Sequence, residues 1–514
     1  MIEAGGSATG AEVDAPTCAE TRPAVGQAAD SAAGQATGPA TGPAAGQADG
    51  AVLAQAADAR VGAGTSAGGR TPESVLTGAS VPEPVTRASH GWITRFTLAY
   101  IGINIVWAGP GQVLMSPQVE RLTAGVPWGV FSESKEANLA VIGFIAGLFA
   151  LVSTPLWGAL SDRTTSRFGR RTPWMAGGLA VIATGMVAAG FSQSLPALLI
   201  GWIAVQAAIN AVITPLSASV PDHVPVAQRG LVSGWYGFAY TFAVVAGTAI
   251  GTIATAIWAG PAGITMGYLL CAAGCVFAIL PFLLARWETP LPKAVLAARQ
   301  PLRLRTVLDI YWVDVRRHPD FGWAWLTRFL VTLSSATALF YLYYFLQDAI
   351  GLVRDDAASS GGGLRVSDGV LILTAVYALS VFGTVVVSGM VSDRLGRRRV
   401  FVAASAIFIS TATVLMAYAP NFTTAVVAAV ILGLGTGVFT SVDFALVSQV
   451  LPTASNNGKH LGIINLAIAL PNVLAPIVAA FMVATFGGYT GLYLLSAALS
   501  VVGGVLVYRV KGVR

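Results

Sequence analysis

Few side chains in this sequence could do acid–base or metal chemistry. The four histidines, His90, His223, His318 and His460, are scattered, and Cys18, Cys271 and Cys275 form no Cys-x-x-Cys pair. That pattern rules out a disulfide framework and argues against a Cys/His metal site or a catalytic constellation. No Gly-x-x-x-x-Gly-Lys-Ser/Thr phosphate loop is present, so neither nucleotide hydrolysis nor a bound cofactor is expected. The feature that stands out is a charged motif occurring twice. Its first copy runs Gly158-Ala159-Leu160-Ser161-Asp162-Arg163 and, after five residues, Gly169-Arg170-Arg171. The second runs Gly389-Met390-Val391-Ser392-Asp393-Arg394-Leu395-Gly396-Arg397-Arg398-Arg399. Arg229 and Lys459 form a further pair, in Gln228-Arg229-Gly230-Leu231 and Gly458-Lys459-His460-Leu461, at nearly the same offset along the chain.

The elements that carry these residues follow from composition. Of 514 residues, 55% are apolar and 11% charged, and the mean hydropathy is +0.69. The charged share is under half that of a soluble domain, so the chain reads as an all-α polytopic membrane protein. Apolar runs near 92–115, 138–160, 174–192, 195–219, 230–257, 263–285, 322–347, 369–391, 400–418, 422–449, 459–484 and 488–509 each approach the ~20 residues a helix needs to cross ~30 Å of hydrocarbon. This predicts twelve transmembrane helices. The ten-residue alternation of a membrane β-barrel is absent. Basic residues collect on one side: Arg163, Arg167, Arg170 and Arg171 after span two, Arg229 after span four, Arg394 to Arg399 after span eight, Lys459 after span ten. That side is cytoplasmic by the positive-inside rule, and both termini fall on it. The net charge of +6 lies in these short breaks, which argues against a nucleic-acid partner.

Residues 1–90 are rich in Ala, Gly, Pro and Thr and hold nine acids and four bases. Such a stretch cannot bury enough surface to fold, so it reads as a disordered cytoplasmic tail and not as a secretory signal. Residues 91–286 and 321–514 are expected to form two six-helix bundles. The cytoplasmic linker 287–320 between them carries Pro290, Pro292 and Pro301 and reads equally as an interfacial helix or a solvated strap. The matched motifs make the two bundles pseudo-symmetric, the parallel repeat of secondary transporters.

The Gly-x-x-x-Asp-Arg-x-Gly-Arg-Arg signature resembles the loop motif of the major facilitator superfamily (MFS) over residues 92–510. The longer first copy, ending Gly169-Arg170-Arg171-Thr172-Pro173-Trp174, together with Pro221-Asp222 and Leu461-Gly462-Ile463-Ile464-Asn465, resembles the glycoside–pentoside–hexuronide:cation symporters and plant sucrose transporters. The resemblance implies the MFS fold and alternating access in the plasma membrane by a monomer, with a small-molecule solute and a coupling proton or cation as partners.

The residues themselves suggest roles. Gly158 and Gly389 allow close helix approach. Asp162 and Asp393, with Arg163, Gly169, Arg170, Arg171, Arg394, Gly396 and Arg397 around them, could latch the cytoplasmic side by accepting from the start of a helix in the other half. The counterparts would be span eleven near Lys459 and span five near Arg229. Asp443 is the acid that fits best inside a span, either as a coupling carboxylate or as an ion-pair partner of Lys459 or Arg328. Asn104, Trp107, Gln206, Asn210 and Asn465 combine amides with an aromatic face, as a neutral polyhydroxylated solute would require, although amides also tie helices together. Spans one, two and four hold no membrane-embedded acid, a departure from the sugar-symporter pattern that leaves uniport or coupling through Asp443. A proton-coupled exporter of amphipathic compounds is the alternative.

Overall fold

The computed structural model describes residues 86–124, 129–285, 287–288, 319–355, 363–419, 421–449 and 457–511; within these, the side chains of Asp393 and of residues 444–445, 447–449 and 457–464 stand outside the description. The expected tail up to residue 85 and most of the linker also lie outside it. Every described helix belongs to one compact unit, Gly42–Arg514.

The helices follow the apolar runs. Span one is His90–Thr123, span two Lys135–Ser161, span three Thr172–Gly190, span four Leu195–His223, span five Val226–Ile257 and span six Pro261–Leu284. In the second half, span seven is the pair Pro319–Phe340 and Leu342–Asp348, bent by 45°. Span eight is Val366–Leu395, nine Arg398–Ala417, ten Phe422–Gln449, eleven Asn457–Thr485 and twelve Tyr489–Leu506. Among the described residues eleven helices are long and apolar enough to cross a bilayer, and twelve if the bent pair counts as one. Extended backbone pairs there only at an isolated bridge between Val353 and Arg365. The all-α polytopic fold is thus as the hydropathy predicts. Helices are the form in which each span satisfies its own backbone in hydrocarbon.

Local signals set the ends. The side chains of Ser89, Ser134 and Ser194 accept from the amides of Trp92, Ala137 and Ala197, capping spans one, two and four. Gly396 closes span eight in the left-handed region at φ +61°. The Gly109-Pro110-Gly111 break in span one is a single π turn, Pro110–Leu114, and the helix resumes at Met115. Proline lacks the amide that would continue the α ladder, and widening the turn accommodates the loss.

Within each half the helices pack almost backbone to backbone. A Cβ added at Gly109 would lie 2.6 Å from Cys271 Sγ and 2.8 Å from Gly247 O; one at Gly102 would lie 2.8 Å from Ala278. In the second half, Gly433 meets the Tyr377 carbonyl at 2.6 Å, and Gly504 meets Ala406 at 2.5 Å. Cys271 and Cys275 are buried free thiols in this packing, the structural reading of their helical spacing. One apolar core runs through the first half and continues across the end distal to the repeated motifs into Tyr341, Tyr344, Leu346, Val370, Met416 and Leu492. The motif end of the second half has a separate core, with Phe321, Val331, Ile409, Phe439 and Val507.

This tight packing gives a direct expectation. Gly247→Val would drive its side chain into the backbone of span one at Ile105 O and Gly109 N, 2.9 and 3.0 Å from the added Cβ, and should lower stability by about 1–3 kcal/mol or more. The thermal midpoint of the purified protein measures it; an unchanged midpoint would mean these helices are not in contact.

Candidate functional site: the span-one face and the two ends of the bundle

Span one is the element around which the site is built. Three of its sides are covered within the first half: Gly109 lies against span five, Gly102 against span six, and Tyr100 hydrogen-bonds through its hydroxyl to Ser217 of span four. What stays open is a run along one side, Thr94, Leu98, Ile101, Trp107 and Gly111. Trp107 is 41% exposed, and Asn104 lies along the same face at 8%. Beyond the π turn the stripe continues into Gln112, Ser116 and Glu120, each of which touches the second half. Thr374 of span eight donates to Gln112 Oε1 at 2.9 Å, Tyr344 of span seven to Ser116 O at 2.9 Å, and Gln347 Nε2 to Glu120 Oε1 at 3.0 Å. The stripe therefore faces the second half. It is covered toward the distal end and uncovered toward the motif end.

The distal end is closed by a polar network across the halves. Lys135 Nζ lies 2.9 Å from Asp348 and 3.3 Å from Glu120. Arg354 reaches Glu120 at 2.6 Å. Tyr489 donates to Asp348 at 2.7 Å, and Tyr341 to the carbonyl of Glu136 at 2.5 Å. Farther along, Thr252 of span five donates to Ser367 O at 3.1 Å. Tyr341, Tyr343 and Tyr344 are buried at this seam, and Tyr343 donates to Asp355 at 2.9 Å. Their signal was present: an acid and an amide, Gln347-Asp348, follow the tyrosines within one helical turn or two. Span two meets the other half through Gly143, where an added Cβ would be 3.1 Å from Phe340 and Pro476, and Gly147, 3.4 Å from Val473.

At the motif end, the first copy builds a clamp inside its own half. Arg170 and Arg171 both bind Asp222 of span four, Arg171 at 2.9 Å. Asp162 lies 4.0 and 3.8 Å from the same two guanidinium groups. Glu288, just past span six, accepts from the amides of Arg171 and Thr172 at 2.8 and 3.1 Å, and its other oxygen lies 3.7 Å from Arg170 Nε. It is an acid at the start of span three, which has none in its own first turn. Burial pulls the Arg171 guanidinium below its ordinary pKa, an effect that Asp222 opposes. Gly169, at φ +100°, leaves room for Glu288, which a Cβ would strike. The missing acid at span three was the signal for Glu288.

The remaining latch residues fall as follows. Gly158 faces Thr214 of span four, 3.5 Å from an added Cβ, and Gly389 faces Ser441 of span ten, 3.8 Å away. Both neighbours belong to the glycine's own half. Arg229 Nε donates to Val224 O at 3.1 Å, holding the turn between spans four and five. Arg394, Gly396 and Arg397 are exposed. The side chains of Asp393 and Lys459 lie outside the described residues, Lys459 on the first turn of span eleven. Arg163 is half-buried after span two.

Asp443 pairs with Arg328 at 3.0 Å, both side chains 6% exposed. Arg328 lies in register with Phe321, Ala324 and Val331, the face of span seven that packs into the second half's core. Of the proposed ligand-contacting amides, Asn104 Nδ2 donates to Tyr100 O at 2.8 Å within span one. Asn210 reaches Ala150 O of span two at 3.2 Å, while Gln206 is half-buried on span four. Asn465 of span eleven has a buried Oδ1 with no hydrogen-bond partner among the described residues. Among the described residues no group of His, Cys, Asp or Glu could hold a metal ion.

Two related bundles joined at one end, with a polar-lined face left open toward the other, define a polytopic carrier. The chain matches the Major Facilitator Superfamily over residues 110–367 and 363–513, and it belongs to that family. Over 158 residues it is 29% identical to a triacylglyceride transporter of Mycobacteroides abscessus, a match spanning 31% of this chain and 30% of that relative's length. Its fold is similar to that of a nucleoside transporter, NupG (TM-score 0.63, 13% identity, covering 82% of this chain and 100% of that one). It is also similar to a POT family transporter in complex with a thioalcohol conjugated peptide (0.60, 10%, 81% and 95%). A third is a bacterial homolog of the human lysosomal transporter Spinster, in an inward-facing and unoccupied conformation (0.55, 15%, 82% and 94%).

Two outcomes test the geometry. Exposed cross-half pairs each contribute about 0.2–1 kcal/mol, so Lys135→Gln should shift the balance toward distal opening by up to about fivefold. The labelling rate of a cysteine introduced as Ser116→Cys reads this, and an unchanged rate would remove the network from the gate. Asp443→Asn leaves a buried guanidinium unpaired and should cost about 3–5 kcal/mol, whereas Arg328→Met with Asp443→Leu should recover most of it. Thermal midpoints decide; a mild Asp443→Asn with a damaged double variant would deny the pair its structural role.

Proposed function

We propose that the protein is a secondary transporter of the plasma membrane that moves a small, neutral, polar organic solute, such as a sugar, by alternating access. The observation that carries this reading is the open face of span one, where an indole and a carboxamide, Trp107 and Asn104, share one stripe between the halves. An indole face suits a ring with C–H bonds on one side. A carboxamide supplies both donor and acceptor to hydroxyls. Gln206, Asn210 and Asn465 complete the polar lining in this proposal, on spans four and eleven. The closed distal seam and the uncovered motif end correspond, with the motif end cytoplasmic, to an inward-facing state with both termini inside the cell. In the outward-facing state Asp162 and Asp393 close the cytoplasmic end against the starts of spans eleven and five.

The units are a tail over 1–90, bundles over 91–286 and 321–514, and a cytoplasmic linker over 287–320. The molecule works as a monomer. Coupling to a proton or cation through Asp443 competes with uniport, and the Arg328 pairing favours a structural part for Asp443 and hence uniport. A second reading, export of an amphipathic compound, is favoured by the apolar members of the same stripe, Leu98 and Ile101, and by the relative that carries triacylglyceride in its name.

A thermal-shift screen of sugars against lipid-like solutes on the purified protein discriminates the readings, because a ligand of the folded state raises its midpoint. For a sugar, Trp107→Ala should weaken binding by about tenfold or more and Trp107→Phe by less. Stabilisation by amphiphiles alone, unaffected by Asn104→Ala, would overturn the sugar reading in favour of the second.

A further inference from the structure

The two motif copies treat their arginines in opposite ways. In the first half Arg170 and Arg171 are buried and answered by Asp222, Glu288 and Asp162. In the second half the starts of spans seven and nine and the end of span twelve converge, bringing Arg399, Arg509 and Lys511 together. Arg399 Nη2 donates to the backbone carbonyl of Lys511 at 2.7 Å, and its Nε is shielded with no acceptor among the described residues. The Arg509 guanidinium lies over the Trp323 ring, 5.7 Å from its centroid. Asp320, the acid at the start of span seven, accepts from the Lys511 amide at 3.1 Å. Val400, Val505 and Tyr508 are exposed on the same helix ends, so the cations sit where lipid-facing apolar surface gives way to charge.

We propose that this corner of the second half binds the headgroup of an anionic phospholipid of the surrounding leaflet. Three features of the corner match that ligand. A phosphodiester offers paired oxygens to a guanidinium fork, which the exposed side chain of Arg509 presents. Trp323 sits under Arg509 at the level where indoles anchor in the interface. The exposed apolar residues beneath accept the acyl chains that a free phosphate lacks. Basic pockets between helix ends on the cytoplasmic side take such headgroups, and the negative surface potential of that leaflet adds to the attraction. The bound lipid would tie spans seven, nine and twelve together at the end where the second half keeps its separate core.

The test uses the full chain, purified in detergent, with thermal midpoint followed against added short-chain phosphatidylglycerol, phosphatidylcholine or inorganic phosphate. Phosphatidylglycerol should raise the midpoint at concentrations where the other two do not. Arg399→Gln with Arg509→Gln should weaken that response by about tenfold, and the single Arg509→Gln by less. Arg87→Gln with Arg167→Gln removes the same charge from the first half and should change it less than twofold. An equal response to phosphatidylcholine, reproduction of the effect by inorganic phosphate, or an equal loss in the first-half variant would each overturn the proposal. If the double variant does not fold, an undiminished response in Arg509→Gln overturns it. None of these readings depends on which solute is carried.

Discussion

A rigid body can rock on another only if the contacts between them are weaker than those within them, and the small residues of this protein are distributed to that end. At the tightest crossings inside each half, Gly109, Gly433 and Gly504, an added Cβ would collide with backbone or neighbouring side chains at 2.5–2.8 Å, whereas Gly158 and Gly389 near the motif end leave ordinary contact. Across the halves, at Gly143 and Gly147, the same atom would meet neighbours at 3.1 and 3.4 Å, a firm touch and ordinary contact. Lipid tails are as apolar as leucine, so close packing rather than water exclusion holds membrane helices together. The difference of a few tenths of an ångström is thus an energetic one. The seam is supplemented by hydrogen bonds at the aqueous distal end, where water can replace each bond as it breaks. Exposed pairs such as Lys135–Asp348 contribute little apiece, which suits a joint that must open repeatedly.

Span one links this mechanics to the site. Its covered sides commit it to the first half, and its fourth side runs from the seam at Glu120 through the π turn to Trp107. The proline that breaks the α ladder also rotates the register, so that the residues touching the second half and those open toward the motif end share one face. Spans one and four are joined by Tyr100 and Ser217, neutral groups. The corresponding spans seven and ten are joined by Arg328 and Asp443, an ion pair. A neutral bond tolerates water nearby. A buried ion pair is costly unless both members stay together, and its position in the core of the second half makes it a pin for that half.

The helices were legible because a twenty-residue apolar run in a chain with 11% charge has one physical outcome, and the runs for spans two to six match their helices to within a few residues. Span seven was legible as a run but not as a bend, since nothing local to Tyr341 breaks a helix; its hydroxyl bond to Glu136 accompanies the kink. The site was legible in part. Asn104 and Trp107 declared themselves as polar and aromatic residues in a lipid-length run. The seam did not, because Glu120, Lys135, Asp348 and Arg354 are spread over four elements and each alone looks like an ordinary loop-end charge. Glu288 was hidden for the same reason: its partner, the start of span three, is more than a hundred residues away in the chain.

The motif copies show how a repeat diverges under different loads. Thr164 to Phe168 stand where the second copy has Leu395 alone, four residues more, enough for Gly169 to turn at φ +100° and for the next two arginines to fold under span three, where Asp222 of span four and Glu288, just past span six, reach them. The second copy has Gly396 at φ +61° directly on the end of span eight, and its arginines pass straight into span nine with no room to turn inward. The same residue types therefore become a buried clamp in one half and a half-buried to exposed group in the other. Loop length, more than the identity of the arginines, sets that outcome. A symmetric reading of the two motifs would assign them one shared task, whereas their geometry assigns the first to holding its own bundle and ties the second, through Arg399, to the end of span twelve.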